Sequence, residues 1–175
     1  LPNTTDVNED VRLGDIVVSN QNGIVQYDLV KRLSADEIEV RQPPRPPSAE
    51  LLEADRVLRA NSLKGQRPWE QLIQRGKDID TAKRPDDNVD AKGNSIIYPN
   101  NDGRRPRFPR VFTGPIASAN TLLRDAAFRD SIRKQYRVKA VEMESSGIAD
   151  ATWIAGQTGY LAIRGICDYC DNNKG

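Results

Sequence analysis

A three-layer α/β fold, with helices on both faces of a central mixed, mainly parallel twisted sheet, is what the sequence of 175 residues predicts. Three observations carry that prediction. Short runs rich in Ile and Val alternate with stretches whose apolar residues recur at helical intervals. Residues 111–117, 138–143 and 160–166 read as strands, separated by helical stretches over 120–135 and 146–158. Acidic side chains stand at the strand ends: Glu142 and Glu144 after one, Asp168 just past the next. In a β-α-β unit these carboxylates share the crevice outside the carboxyl ends of the strands, where open α/β sheets bind ligands.

Taken in order, residues 13–19 form a first strand, Asn20-Gln21-Asn22-Gly23 a turn, and 24–27 a second strand. Segments 29–33 and 37–40 extend this as a hairpin. The run Pro43-Pro44-Arg45-Pro46-Pro47 cannot join a sheet interior, because proline lacks the ladder donor. Ser48 is a suitable N-cap for a helix carrying Leu51, Leu52, Val57, Leu58 and Leu63, which Gly65 ends. A shorter helix runs from Pro68 through Trp69, Leu72 and Ile73. Residues 78–110 are polar, and nine of the eleven prolines fall between 43 and 109, so 41–110 reads as an insertion over the sheet edge. It serves either as a lid or interface element or as decoration. Later, the helix 120–135 turns Leu122, Leu123, Ala126, Ala127, Phe128 and Ile132 toward the sheet. The small residues Gly147, Ala149, Ala151, Ala155 and Gly156 suit the 146–158 helix to close packing. Trp69, Trp153 and Phe108 are candidate interface aromatics, with core packing the preferred role for Trp153.

Composition removes several classes of function. The net charge is +1, and the one basic run, at 104–110, reads as a solvated loop, so no nucleic-acid partner is expected. No apolar run approaches the ~20 residues that cross a bilayer, and no secretory signal opens the chain; the expectation is a cytoplasmic protein with no membrane partner. Cys167 and Cys170 are the only cysteines, and histidine is absent. A tetrahedral zinc site lacks ligands, so no metal is expected. Ser-His-Asp and Cys-His catalysis are excluded within this sequence, leaving proton transfer to carboxylates, Lys, Tyr or Cys.

Four segments, in order, resemble the nucleoside phosphorylase/nucleosidase superfamily, which includes purine nucleoside phosphorylase and methylthioadenosine nucleosidase. They are Leu13-Gly14-Asp15-Ile16-Val17-Val18-Ser19 with Val25-Gln26-Tyr27-Asp28, Gly114-Pro115-Ile116-Ala117-Ser118-Ala119-Asn120, Val141-Glu142-Met143-Glu144, and Cys167-Asp168. The resemblance implies cleavage of the N-glycosidic bond of a purine nucleoside or nucleotide, by phosphorolysis or hydrolysis. Asp168 would be the catalytic general acid toward the departing base. Glu144 would accept hydrogen bonds from the ribose hydroxyls, with Met143 against the sugar and Ser118, Leu122 and Cys167 in the substrate-binding set. Glu142 stands either near the attacking group or the sugar, or as a helix-entry carboxylate favoured by the dipole; Met143 has a plain core role as its alternative, and Asp168 a helix cap.

The same resemblance implies no cofactor beyond inorganic phosphate as co-substrate of a phosphorylase, and a homo-oligomer. Leu122 and Leu123 stand where the family often has aromatics, and Asn120 where it often has Asp. The family's N-terminal Gly-rich turn is not seen, so residues 1–175 are expected to be a partial domain whose N-terminal part lies outside this sequence. A non-catalytic nucleotide- or nucleoside-sensing module of a multidomain signalling or defence protein is the alternative.

Overall fold

The computed structural model describes residues 6, 8–32, 38–40, 45–76, 79, 108–156 and 159–171. Its elements are β1 (Ile16–Gln26), β2 (Val30–Arg32), β3 (Ile38–Val40), α1 (Ala49–Leu63), α2 (Trp69–Gly76), β4 (Val111–Ser118), α3 (Ala126–Tyr136), β5 (Ala140–Glu142), α4 (Ser145–Ala155) and β6 (Ile163–Gly165). Four strands form one mixed sheet in the order β5-β4-β1-β6. β1 runs parallel to β4 and β4 parallel to β5, while β6 is antiparallel to β1. β2 and β3 pair antiparallel as a separate hairpin, as their sequence predicts.

Strand alternation produces the three layers. Ile24 and Ile116 pack with Val17, Ala140 and Ala149 of α4. Their neighbours Val25 and Ala117 face the other way and pack with Ile132 of α3. The helices α4 and α3 therefore cover opposite faces. Val17 and Ile116 are fully buried at the centre of the sheet, each contributing about 1.5–3 kcal/mol from apolar burial.

Several boundaries differ from the sequence expectation. The polar tetrad 20–23 is no hairpin turn, because β1 continues through it. Between Ser19 and Ile24 β1 advances five residues while β4 advances two, from Gly114 to Ile116, so three extra residues bulge out of one strand. Gly23 permits this: its φ is 61°, and a Cβ there would collide with the Arg45 carbonyl. The helix expected from residue 120 starts at Ala126. The Asp125 carboxylate accepts from the Ala127 and Phe128 N–H groups at 2.9 and 3.0 Å and sets that start.

Ser48 caps α1 as expected, accepting from the Leu51 N–H at 3.3 Å. Yet Leu51, Val57, Leu58 and Leu63 are exposed, and Asp55, paired with Arg59, is the helix's buried residue. The apolar positions do not form one stripe: Leu51 and Leu58 align, whereas Leu52 and Leu63 lie about 110° around the axis at the helical pitch. Trp153 is not a core residue either. It is 59% exposed, with the Arg45 guanidinium 5.0 Å above its ring and Asp150 holding that guanidinium at 3.0 Å.

The unit flanking α4 is also not the expected parallel crossover. β6 lies at the opposite sheet edge from β5 and runs against β1. Among the described residues no helix is long and apolar enough to cross a membrane. The expectations for the loop 78–110, including most of its basic run, fall largely outside the described residues.

Candidate active site

Beside the C-terminal end of β5 lies a cavity of about 340 Å³, within the size range of small-molecule sites. Glu142, Met143, Glu144, Leu122, Cys167 and Asp168 all line it. The structure thus brings together every candidate residue except Ser118. That side chain is fully buried behind the wall, where its Oγ accepts from the Ser146 N–H at 3.2 Å.

The turn from β5 into α4 explains how Glu142 is held. α4 has no side-chain cap from Glu144, its N-cap residue, so the first N–H groups of the helix need an acceptor. Glu142 supplies it. Its Oε2 accepts from the Glu144 N–H at 3.0 Å and from the Ser145 N–H and Oγ at 2.9 Å each. The Arg164 guanidinium closes the corner: it donates to Glu142, to Glu144 at 2.7 Å and to the Ser145 Oγ at 3.1 Å. Burial alone would raise the pKa of Glu142; the hydrogen bonds from Ser118, from the Glu144 and Ser145 backbone and from the Ser145 hydroxyl outweigh it and bring it below the usual carboxylate value. With its side chain 7% exposed and that of Glu144 66% exposed, the two carboxylates have different jobs. Glu142 is an ionised brace, whereas Glu144 offers its carboxylate to the cavity.

Asp168 sits opposite on the segment after β6. Its Oδ1 accepts from the Cys170 N–H at 2.8 Å, and the Cys167 thiol lies 3.7 Å from Oδ2. Tyr169 anchors this segment: its buried ring presents a hydroxyl that accepts from the Leu13 N–H at 3.2 Å, and its carbonyl accepts from Arg129. Met143 and Leu122 give the cavity partly exposed apolar surface. Asn120, at the edge of the irregular stretch before α3, donates its N–H to Asp28 at 2.8 Å.

Arg164, Arg129 and Tyr169 were not among the candidates from sequence. An arginine within a short strand reads as a solvent-facing residue, and its reach to Glu142 across the sheet has no local signal. Lys139 and Arg133 also line the cavity, but both pair with Glu9. Among the described residues no group of three or more Cys, Asp and Glu side chains is placed to hold a metal ion.

Comparison with solved structures gives the same architecture. The 5'-methylthioadenosine/S-adenosylhomocysteine nucleosidase of Helicobacter pylori, solved with butyl-thio-DADMe-Immucillin-A, superposes with a TM-score of 0.54 at 18% identity, over 94% of this chain and 52% of that one. The corresponding nucleosidase of Neisseria meningitidis, solved with methylthio-immucillin-A, gives 0.50 at 20% identity, over 93% and 52%. The chain thus spans about half the length of these solved chains. A nucleotide-binding leucine-rich repeat (NLR)-like protein of Hyaloscypha variabilis is 29% identical over 182 aligned residues, which cover 94% of this chain and 18% of that protein. The sequence pattern of the phosphorylase superfamily matches residues 6–175. The match spans the sheet, both covering helices and every residue of the cavity named above, and on that ground the chain belongs to the phosphorylase superfamily.

Proposed function

We propose that this domain cleaves the N-glycosidic bond of a purine nucleoside or nucleotide, with water or phosphate as the attacking group. The observation that carries the reading is one cavity lined both by the Glu142–Arg164–Glu144 corner and by Asp168, in a chain of the phosphorylase superfamily. Breaking such a bond leaves an oxocarbenium-like sugar and a departing base that needs a proton. Asp168 is the general acid to that base, a role typically worth about 10²–10⁴ in rate. Glu144 receives the ribose hydroxyls and places negative charge near the developing cation. Arg164, bridging Glu142 and Glu144, fixes the geometry of that carboxylate. Met143 and Leu122 supply apolar contact to sugar and base. Ser118 acts through Glu142 and the start of α4 rather than on the substrate.

The nucleosidases whose structures superpose were solved with immucillin ligands, which supports a purine-type base here. The domain is further proposed to work as a homo-oligomer, in keeping with the exposed Ile148, Trp153 and Ile154 of α4; a sedimentation measurement giving only monomer would remove that part. The test of the activity is release of free base from adenosine, methylthioadenosine and adenosine nucleotides, each with and without phosphate. Release is expected from at least one; release from none, by the full chain, contradicts the reading.

A second reading is a sensing module that binds without turnover, favoured by one observation: the Hyaloscypha relative is an NLR-like protein of which the matching region is 18%. Calorimetry on Asp168→Asn separates the two. Retained binding with lost turnover indicates catalysis, whereas binding without turnover in both forms indicates a sensor.

A further inference from the structure

Arg129 and Arg133 of α3 and Lys139, directly before β5, line the candidate cavity and have no part in the reaction as proposed. Their side chains are 16%, 29% and 12% exposed, so each cation is largely withdrawn from water and needs compensating charge. That compensation is incomplete. Asp130 meets Arg129 at 2.9 Å, but Arg133 and Lys139 share the single carboxylate of Glu9. Three cations against two carboxylates leave one positive charge in excess, and neither Glu9 nor Asp130 lines the cavity. Around Glu142 the balance is reversed, with two carboxylates to the one Arg164 guanidinium. Lys139 precedes Glu142 by three residues, about 10 Å of extended chain, so the cavity is polarised along β5. Donors are left over at its basic end. Among the described residues the Arg133 guanidinium makes one hydrogen bond, from Nη2 to Glu9 at 3.2 Å, out of the five N–H groups it carries. Arg129 is committed, with Nε and Nη2 on Asp130 and Nη1 on the carbonyl of Tyr169, one residue past Asp168. Lys139 donates to Glu9 and to the Asn8 carbonyl at 2.9 Å.

We propose that Arg133 and Lys139 bind a phosphoryl group, with Arg129 adding its charge, and that the substrate is a nucleotide rather than a nucleoside. The substrate half of this proposal rests on the cleavage reaction proposed above; the anion site does not. A nucleotide has the same polarity as the cavity. Its sugar, which turns cationic as the bond breaks, belongs at the acidic corner, and its phosphoryl group belongs at the basic end. The planar guanidinium of Arg133 matches two phosphoryl oxygens at once, while the Lys139 ammonium acts as a point charge. Inorganic phosphate, as an attacking group, carries the same chemistry, and the experiment separates the two sources.

The test is calorimetric affinity on the full chain carrying Asp168→Asn, so that bound substrate is not consumed. The probes are adenosine, adenosine 5'-monophosphate, and adenosine with inorganic phosphate. The monophosphate is expected to bind at least about tenfold more tightly than adenosine, and the preference should shrink as sodium chloride is added. Arg133→Gln and Lys139→Gln should each lower the preference by about tenfold or more, whereas Arg133→Lys, which keeps the charge without the fork, should retain part of it. A preference is a ratio of two ligands on one sample, so loss of stability in a variant does not mimic the result. Equal affinity for the two adenosine compounds, with adenosine bound more tightly once phosphate is present, overturns the nucleotide half and assigns the anion site to free phosphate. Equal affinity with no effect of phosphate, or a preference that survives both Gln variants, overturns the site. Should the chain with Asp168 intact release no base, it is the proposed activity that has failed, and the affinities still decide the site.

Discussion

Glu142 and Asp168 face the same cavity from supports of opposite kind. The Glu142 corner is saturated with donors: two backbone N–H groups, two serine hydroxyls and the Arg164 guanidinium converge on one carboxylate whose pKa they depress. The Asp168 segment is held at its edges instead, through Tyr169 to Leu13 and Arg129, while its carboxylate meets the Cys170 N–H and the Cys167 thiol. A carboxylate surrounded by donors cannot give up a proton it does not hold, so the first corner serves structure and charge. In the proposed reaction the acid must cycle between protonation states, a role left to the carboxylate on the anchored segment after β6. Under the proposed function, the difference separates the acidic residue that would be scaffold from the one that would be reagent.

Substitutions should separate the two corners. Asp168→Asn keeps the shape and removes the acid; base release should fall by about 10²–10⁴, while the denaturation midpoint stays near that of the unmutated chain. A large loss of stability in this variant would break the contrast. Glu142→Gln should do the reverse. It leaves donors around a neutral amide in a nearly closed corner, and chemical denaturation should report a loss of about 1–3 kcal/mol, moderated by the partial exposure of Arg164.

Acid sharpens the same point. The folded pKa of Glu142 is below its ordinary value of 4.5, so its contribution to stability is present above that value and is lost as the pH falls through the folded one. Glu9 adds in the same direction: burial alone would raise its pKa, but Lys139 and Arg133 together hold it low. Unfolding followed from pH 6 downward should show stability falling below about 4.5, with a shallower fall in Glu142→Gln; equal slopes would remove Glu142 as the brace. The smallest effect is expected far from the cavity. Leu58→Lys on the exposed face of α1 should change stability by no more than about 0.5 kcal/mol, and a larger loss would show that this face is covered.

Much of this was legible in the sequence because the signals are local. Ser48 announces its helix, the alternation of β-branched runs gives β4 and β5, and Glu142, Met143, Glu144, Cys167 and Asp168 were singled out and line one cavity. What escaped depends on contacts between distant positions. Asn20 to Gly23 has the composition of a turn, and only the parallel partner β4 keeps β1 running through it as a bulge. Leu122 and Leu123 continue the spacing of α3 and so mask the cap at Asp125. The direction of β6 is set by its pairing with β1, which no residue in 163–165 encodes by itself. Arg164 reaches Glu142 across 22 positions of sequence, and Ser118 works behind the cavity wall rather than in it.

The division of labour between the two corners is tested most directly by changing the leaving group. Base release by the unmutated chain and by Asp168→Asn should be compared on a purine nucleoside and on a nitrophenyl riboside, whose leaving group departs without a proton. The account predicts a loss of about 10²–10⁴ on the purine substrate and little loss on the nitrophenyl one. Equal losses on both would show that Asp168 does not donate the proton.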